Sequence, residues 1–222
     1  MAPRYRDGAA VKSPPAASPK ARPAPKAIAA VTRPEPAVTA VVRWTRDDIP
    51  GQQAYDWTYY ENGRINDPAG NLTWSLIKGV LRNIASPQAY TVCWFGPDGK
   101  SIRGANCWGP TYAGEVIKGS FGDTTSQPIT AVDHVTREDQ SRAQSVHIYF
   151  ANGRIDDPDG PATWSLVSGR LKLVYPGAGP SGSANVTNAR VAPDGKSWRG
   201  TNNWNKSFTG RLVSGSLLGV TR

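Results

Sequence analysis

From residue 38 onward, apolar positions fall into short runs broken by turn residues. Those runs cover residues 72–84, 90–95, 115–121, 145–150, 166–175 and 211–220. They are rich in β-branched and aromatic side chains and show no sustained 3.6-residue period, so they predict strands. Asn62-Gly63 and Asn152-Gly153 predict type I′ hairpin turns with both central residues at positive φ. Pro97-Asp98-Gly99 and Pro193-Asp194-Gly195 suit a type I turn closed by a glycine bulge. Gly79 and Gly169 lie inside apolar runs and predict bulges or close packing. The best candidate for a short helix is 131–144. The pattern predicts six or seven strands in each half of the body.

The halves repeat one another. Residues 62–76 (NGRINDPAGNLTWSL) match 152–166 (NGRIDDPDGPATWSL) at eleven of fifteen positions, with an offset of 90. Further matched blocks lie on both sides in the same order: 45–48 with 136–139, 97–101 with 193–197, and 114–120 with 210–216. The downstream offset of 96 places six extra residues in the Gly/Pro/Ser-rich stretch 176–188, read as a lengthened surface loop. Four collinear blocks indicate internal duplication. The expected fold class is all-β: two tandem homologous β-sandwich or small β-barrel units, at 38–126 and 127–222, behind an extended, irregular N-terminal arm at 1–37.

That arm holds eight of the 19 prolines and almost no large apolar side chains. Such a segment buries too little surface to offset its ordering entropy. It also concentrates charge. Arg4, Arg6, Lys12, Lys20, Arg22, Lys26 and Arg33 against Asp7 and Glu35 give 7 − 2 = +5, out of +9 for the 222-residue chain. The plain reading of the segment is a solvated tail or linker; in the sharper reading those seven cations are the partner-binding residues of a strap that orders on an anionic or grooved surface. A nucleic-acid partner would make that contact salt-dependent.

Candidate chemistry is sparse. His134 and His147 stand apart from any metal-ligand spacing, and no phosphate loop or nucleophile elbow is present. Asp123-Thr124-Thr125 departs from the aspartic-protease pattern at its third residue and has no counterpart in the second half. Asp156, Asp157 and Asp159, with Asn66, Asp67 and Asn71 in the first half, are clustered oxygen ligands of the kind calcium takes. Beside Pro and Gly they read more simply as turn-closing side chains. Cys93 and Cys107 flank the Pro97-Asp98-Gly99 turn. A three-residue loop there sets Cys93 opposite residue 103, roughly 13 Å from Cys107 at ~3.3 Å per residue, too far for a disulfide. No enzyme activity, cofactor or metal is expected.

Both copies keep one surface motif: Arg103, Asn106 and Trp108 match Arg199, Asn202 and Trp204. An indole beside Asn and Gly suits stacking on a sugar ring or anchoring of a protein interface. The alternative is a tryptophan that caps the core beneath a loop. No stretch reaches membrane-helix length, and the N-terminus has no apolar stretch of signal-peptide type, so the expected location is cytoplasmic at synthesis. These features point to a non-enzymatic structural or assembly protein, such as a phage virion component (capsid decoration or tail protein) whose arm straps neighbouring subunits. The expected partners are proteins of a capsid or tail lattice, including further copies of this chain as a homo-oligomer. A carbohydrate-binding module with paired Trp sites ranks second, and nucleic-acid binding through the arm ranks third.

Overall fold

The computed structural model describes residues 36–67, 70, 72–139, 145–157 and 160–218. The arm cations, Asn71 and Asp159 lie outside the described residues. What is described is all-β. The first eight strands are β1 (Val38–Arg46), β2 (Tyr55–Tyr60), β3 (Ile65–Asn66), β4 (Thr73–Ile77), β5 (Val80–Ser86), β6 (Ala89–Phe95), β7 (Ser101–Asn106) and β8 (Thr111–Gly119). The second set is β9 (Ile129–Arg137), β10 (Ser145–Phe150), β11 (Arg154–Asp157), β12 (Gly160–Val167), β13 (Arg170–Tyr175), β14 (Asn185–Val191), β15 (Ser197–Asn202) and β16 (Ser207–Gly215). Each set is an up-and-down antiparallel meander whose last strand returns to its first. The second closes into a barrel through β16–β9. The first pairs β8 with β1 and nearly closes between β3 and β4, through one bridge, Arg64–Thr73. Of the two architectures the pattern allows, the chain adopts barrels, twice.

Several local expectations are corrected. Gly79 and Gly169 are turn residues rather than bulges; the expected close packing holds at Gly79, where a Cβ would lie 2.6 Å from the Ser126 backbone nitrogen, but not at Gly169. Lys78-Gly79 (φ 53° and 76°) and Ser168-Gly169 (φ 49° and 73°) form two-residue turns with both φ positive, splitting each apolar run into two strands. Each unit therefore has eight strands. At Asn62-Gly63 and Asn152-Gly153 only the glycines have positive φ. Each asparagine instead turns its Oδ1 to accept the N–H two residues on, from Arg64 and Arg154, at 3.1 Å. The turn at Pro97 is one residue longer than expected. Phe95 pairs with Ile102 and Cys93 with Gly104, because the Asp98 carboxylate gathers the N–H groups of Lys100 and Ser101. Cys93 and Cys107 are free and buried. Of the helix candidate 131–144, residues 131–137 belong to β9, since the lumen and the neighbouring barrel each take alternate side chains of that strand, and residues 140–144 lie outside the described residues.

The two units share detail beyond strand count. Ala40 pairs with Tyr59 and Val42 with Trp57; in the second barrel Ala131 pairs with Tyr149 and Asp133 with His147. The Trp74 and Trp164 indoles donate to the Tyr60 and Phe150 carbonyls, both at 2.9 Å. Arg103 pairs with Asp47 at 2.9 Å, and Arg199 with Glu138 at 2.7 Å. Each lumen is filled by the chain's own side chains: Trp44, Tyr59, Leu81, Ile102 and Phe121 in the first, Tyr149, Ile155, Trp164, Leu171 and Trp198 in the second. An eight-stranded barrel is just wide enough for such filling.

A third apolar cluster joins the barrels within one compact unit. Val80, Val92 and Ala105 on the outside of β5–β7 pack on Val132, Val146, Ile148 and Phe150 on the outside of β9–β10. Polar contacts cross the same seam. Arg82 meets Asp156 at 2.7 Å, and His134 Nε2 lies 2.9 Å from the Asn106 carbonyl oxygen. A carbonyl only accepts, so that nitrogen carries the proton.

Aromatic filling predicts an alkaline response. Burial raises the phenol of Tyr55 to about 12, and raises those of Tyr59, Tyr90, Tyr112 and Tyr149 as well. In the unfolded chain these phenols ionise near pH ~10. A raised folded value means that their stabilisation is complete below that pH and is lost as pH rises through the folded values. The tyrosinate absorbance of these five rings should therefore appear together with loss of β circular dichroism above pH ~10. Full tyrosinate absorbance with the β spectrum intact would contradict the placement of these rings.

Candidate functional site

The densest polar cluster lies inside the second barrel. Strand alternation points Asp133 of β9, His147 and Tyr149 of β10, and Asp157 of β11 into the lumen, where Trp198 of β15 joins them. Asp133, His147 and Asp157 are 0%, 3% and 6% exposed. His147 Nε2 is 2.6 Å from Asp157 Oδ2, and His147 Nδ1 is 3.8 Å from Asp133 Oδ1. Asp133 Oδ2 accepts the Trp198 indole N–H at 2.6 Å and the Tyr149 hydroxyl at 2.9 Å. Burial pushes the Asp133 carboxyl above its ordinary value, against the opposing pull of His147 and these two donors. The Tyr175 ring packs 6.0 Å from the imidazole and continues the cluster toward solvent.

This cluster belongs to one copy only. At matching register the first barrel has Val42 for Asp133, Trp57 for His147 and Ile102 for Trp198. There the lumen polar groups include Tyr59 and Asn83; the Tyr59 hydroxyl accepts from the Trp44 indole at 3.2 Å and from the Asn83 amide at 3.1 Å. The first unit therefore forms its nearly closed eight-stranded barrel without the carboxylate–imidazole set. Motif reading sets His147 apart from any metal-ligand spacing and takes Asp157 for a turn or calcium residue; it misses Asp133 and the convergence of the three, whose signal in the sequence is the paired departure of Asp133 and His147 from the repeat.

The set has some ingredients of nucleophilic catalysis, since Ser145 Oγ lies 3.1 Å from His147 Nε2. That same nitrogen meets Asp157 at 2.6 Å, so the Asp157 carboxylate competes with the hydroxyl for it. Burial also keeps the carboxylates and imidazole away from a substrate in this structure. No group of three or more His, Cys, Asp or Glu among the described residues is disposed to hold a metal ion. Asp156 and Asp157 lie in a strand, one on Arg82 and the other on His147, rather than in a turn or an oxygen cage. Asp123 caps its own loop by accepting the Thr125 N–H at 2.9 Å.

The repeated surface motif is built the same way twice, with different outcomes. Asn106 Oδ1 accepts the Trp108 N–H at 2.9 Å, and Asn202 Oδ1 accepts the Trp204 N–H at 3.0 Å, so each asparagine shapes the turn that carries the indole. Trp108 is 58% exposed. Trp204 is half-buried and lies over Gly179, in the longer β13–β14 connection of the second barrel. Arg103 and Arg199 hold Asp47 and Glu138 rather than pointing at the indoles. The structure thus leaves one open indole platform, at Trp108. No protein-family model, curated protein or solved structure matches this chain.

Proposed function

We propose that this protein is a non-enzymatic structural or assembly protein, in its most specific form a phage virion component that decorates a capsid or tail lattice. The observation that carries this reading is the filling of both lumens: aromatic and aliphatic side chains of the chain itself occupy the space where a small ligand would sit. Recognition then falls to outer surfaces. Two barrels joined across a buried apolar seam make a stiff body, suited to bridging subunits. The +5 arm supplies a strap, and the exposed Trp108 an anchor of the type that dominates protein interfaces.

The test is co-sedimentation with particles isolated from the native source. The full chain should sediment with them, deletion of residues 1–37 should abolish association, and Trp108→Ala should weaken it without lowering the melting temperature. Association indifferent to the arm deletion would overturn the reading. A second reading, a carbohydrate-binding module, draws on the open Trp108 platform beside Asn106. Retention of the full chain on a glycan array, lost in Trp108→Ala, would favour it over the first.

A further inference from the structure

We infer that the outer face of the second barrel formed by β13, β14 and β15 binds the phosphodiester backbone of nucleic acid without sequence selectivity. The register sets Arg170 beside Arg190 and Arg190 beside Arg199, a row of three exposed guanidiniums on adjacent strands. Neighbouring strands lie about 4.8 Å apart. Lys172, Asn188 and Thr201 form the next row on the same face, and the two rows line a shallow depression of about 860 Å³.

Like charges opposed across strands oppose folding. Glu138 relieves Arg199, but Arg170, Arg190 and Lys172 have no carboxylate within ion-pair distance among the described residues. An external polyanion would relieve all three.

The duplication sharpens the point. Val80 pairs with Trp94 and Trp94 with Arg103 in the first barrel, in the register that Arg170, Arg190 and Arg199 occupy in the second. In the first barrel this face is apolar at its centre, with Val80, Val92 and Trp94, and packs on the second barrel. In the second it carries Arg170, Asn188 and Arg190 at those positions and stays open. The same surface is an interface in one copy and a cationic plate in the other.

A phosphate backbone fits that plate better than a protein or a sugar does. A protein interface needs buried aromatic or aliphatic anchors, and sugar stacking needs a flat ring. This face has Val167 at its rim and no aromatic side chain. Guanidinium, ammonium and neutral side-chain donors suffice for phosphate oxygens. Without rings to stack on bases or a ribbon to enter a groove, the contact reads no sequence. The inference goes beyond the assembly reading and does not depend on it.

The test is fluorescence anisotropy of the full-length chain with a labelled mixed-sequence DNA duplex, across about 50–200 mM salt. Arg170→Glu/Arg190→Glu should weaken binding about tenfold or more at the lowest salt and flatten the log–log salt dependence by about two. A duplex of different sequence should bind equally. Arg64→Glu/Lys118→Glu, which makes the same charge change on the first barrel, should stay within about twofold of the unaltered chain if steering by net charge is the smaller effect. Circular dichroism confirms that both variants fold. Equal losses in the two variants, or no binding by the unaltered chain at low salt, would overturn the inference. So would a face variant that keeps duplex affinity while losing a protein partner. Failure of the assembly reading shows separately, in the arm-deletion sedimentation.

Discussion

Asp133→Ala should destabilise the second barrel by about 3–5 kcal/mol, the usual cost of removing one partner from a buried charged set. The carboxylate is fully buried and accepts two strong hydrogen bonds, from Trp198 at 2.6 Å and Tyr149 at 2.9 Å. Its loss strands an indole N–H and a phenol O–H in a closed lumen, and leaves the His147–Asp157 pair without its second carboxylate. Each unsatisfied neutral donor alone costs about 1–3 kcal/mol. In a body of this size the expected fall in melting temperature is on the order of 10 °C. Asp133→Asn should fall between, because the amide oxygen still accepts while the charge facing His147 is gone.

Asp133→Val is the more instructive variant, because it installs the residue of the first barrel. It should not rescue stability. Val42 is tolerated where Trp57 and Ile102 surround it and where Tyr59 accepts the lumen indole. The same side chain beside His147 and Trp198 leaves their polar atoms without the carboxylate. Chemical denaturation followed by tryptophan fluorescence measures the difference. A loss below about 1 kcal/mol for Asp133→Ala would mean that water replaces the carboxylate, and that the lumen is wetter than the packing indicates.

How far the sequence carries can be read off particular residues. The repeat and the all-β class are visible in it because turn chemistry and matched blocks are local signals. Lys78-Gly79 and Ser168-Gly169 escape notice as turns because the apolar run continues across them; only their backbone angles reveal two strands. Barrel and sandwich both alternate inward and outward side chains, so the choice depends on whether β16 reaches β9, a long-range pairing that periodicity does not encode. Within the site, Trp108 and Trp204 look equivalent in sequence. The longer β13–β14 connection, legible as an insertion, brings Gly179 beneath Trp204 and ends the equivalence. Asp133 and His147 are legible as departures from the repeat, but their convergence depends on cross-strand register.

Gly210→Ala should destabilise by about 3 kcal/mol, the upper end for an added methyl group in a filled core. The reason is steric and appears twice. A Cβ on Gly210 would lie 2.0 Å from Trp198 Nε1 and 2.7 Å from Asp133 Oδ2; one on Gly114, its counterpart, would lie 2.7 Å from the Trp44 ring. Trp44 comes from β1 and Trp198 from β15, yet both lay an indole over the same glycine position. The glycine therefore answers to the ring above it and not to a special backbone angle, since neither residue has positive φ. Trp198 cannot retreat, because its N–H is held by Asp133 at 2.6 Å in a closed barrel. Trp198→Ile, which copies Ile102 of the first barrel, removes that ring and should cost stability by itself. Combined with Gly210→Ala it should cost about 1 kcal/mol or more less than the sum of the two, because the clash no longer exists. Simple additivity in that double-mutant cycle would show that the glycine serves some purpose other than making room for the indole.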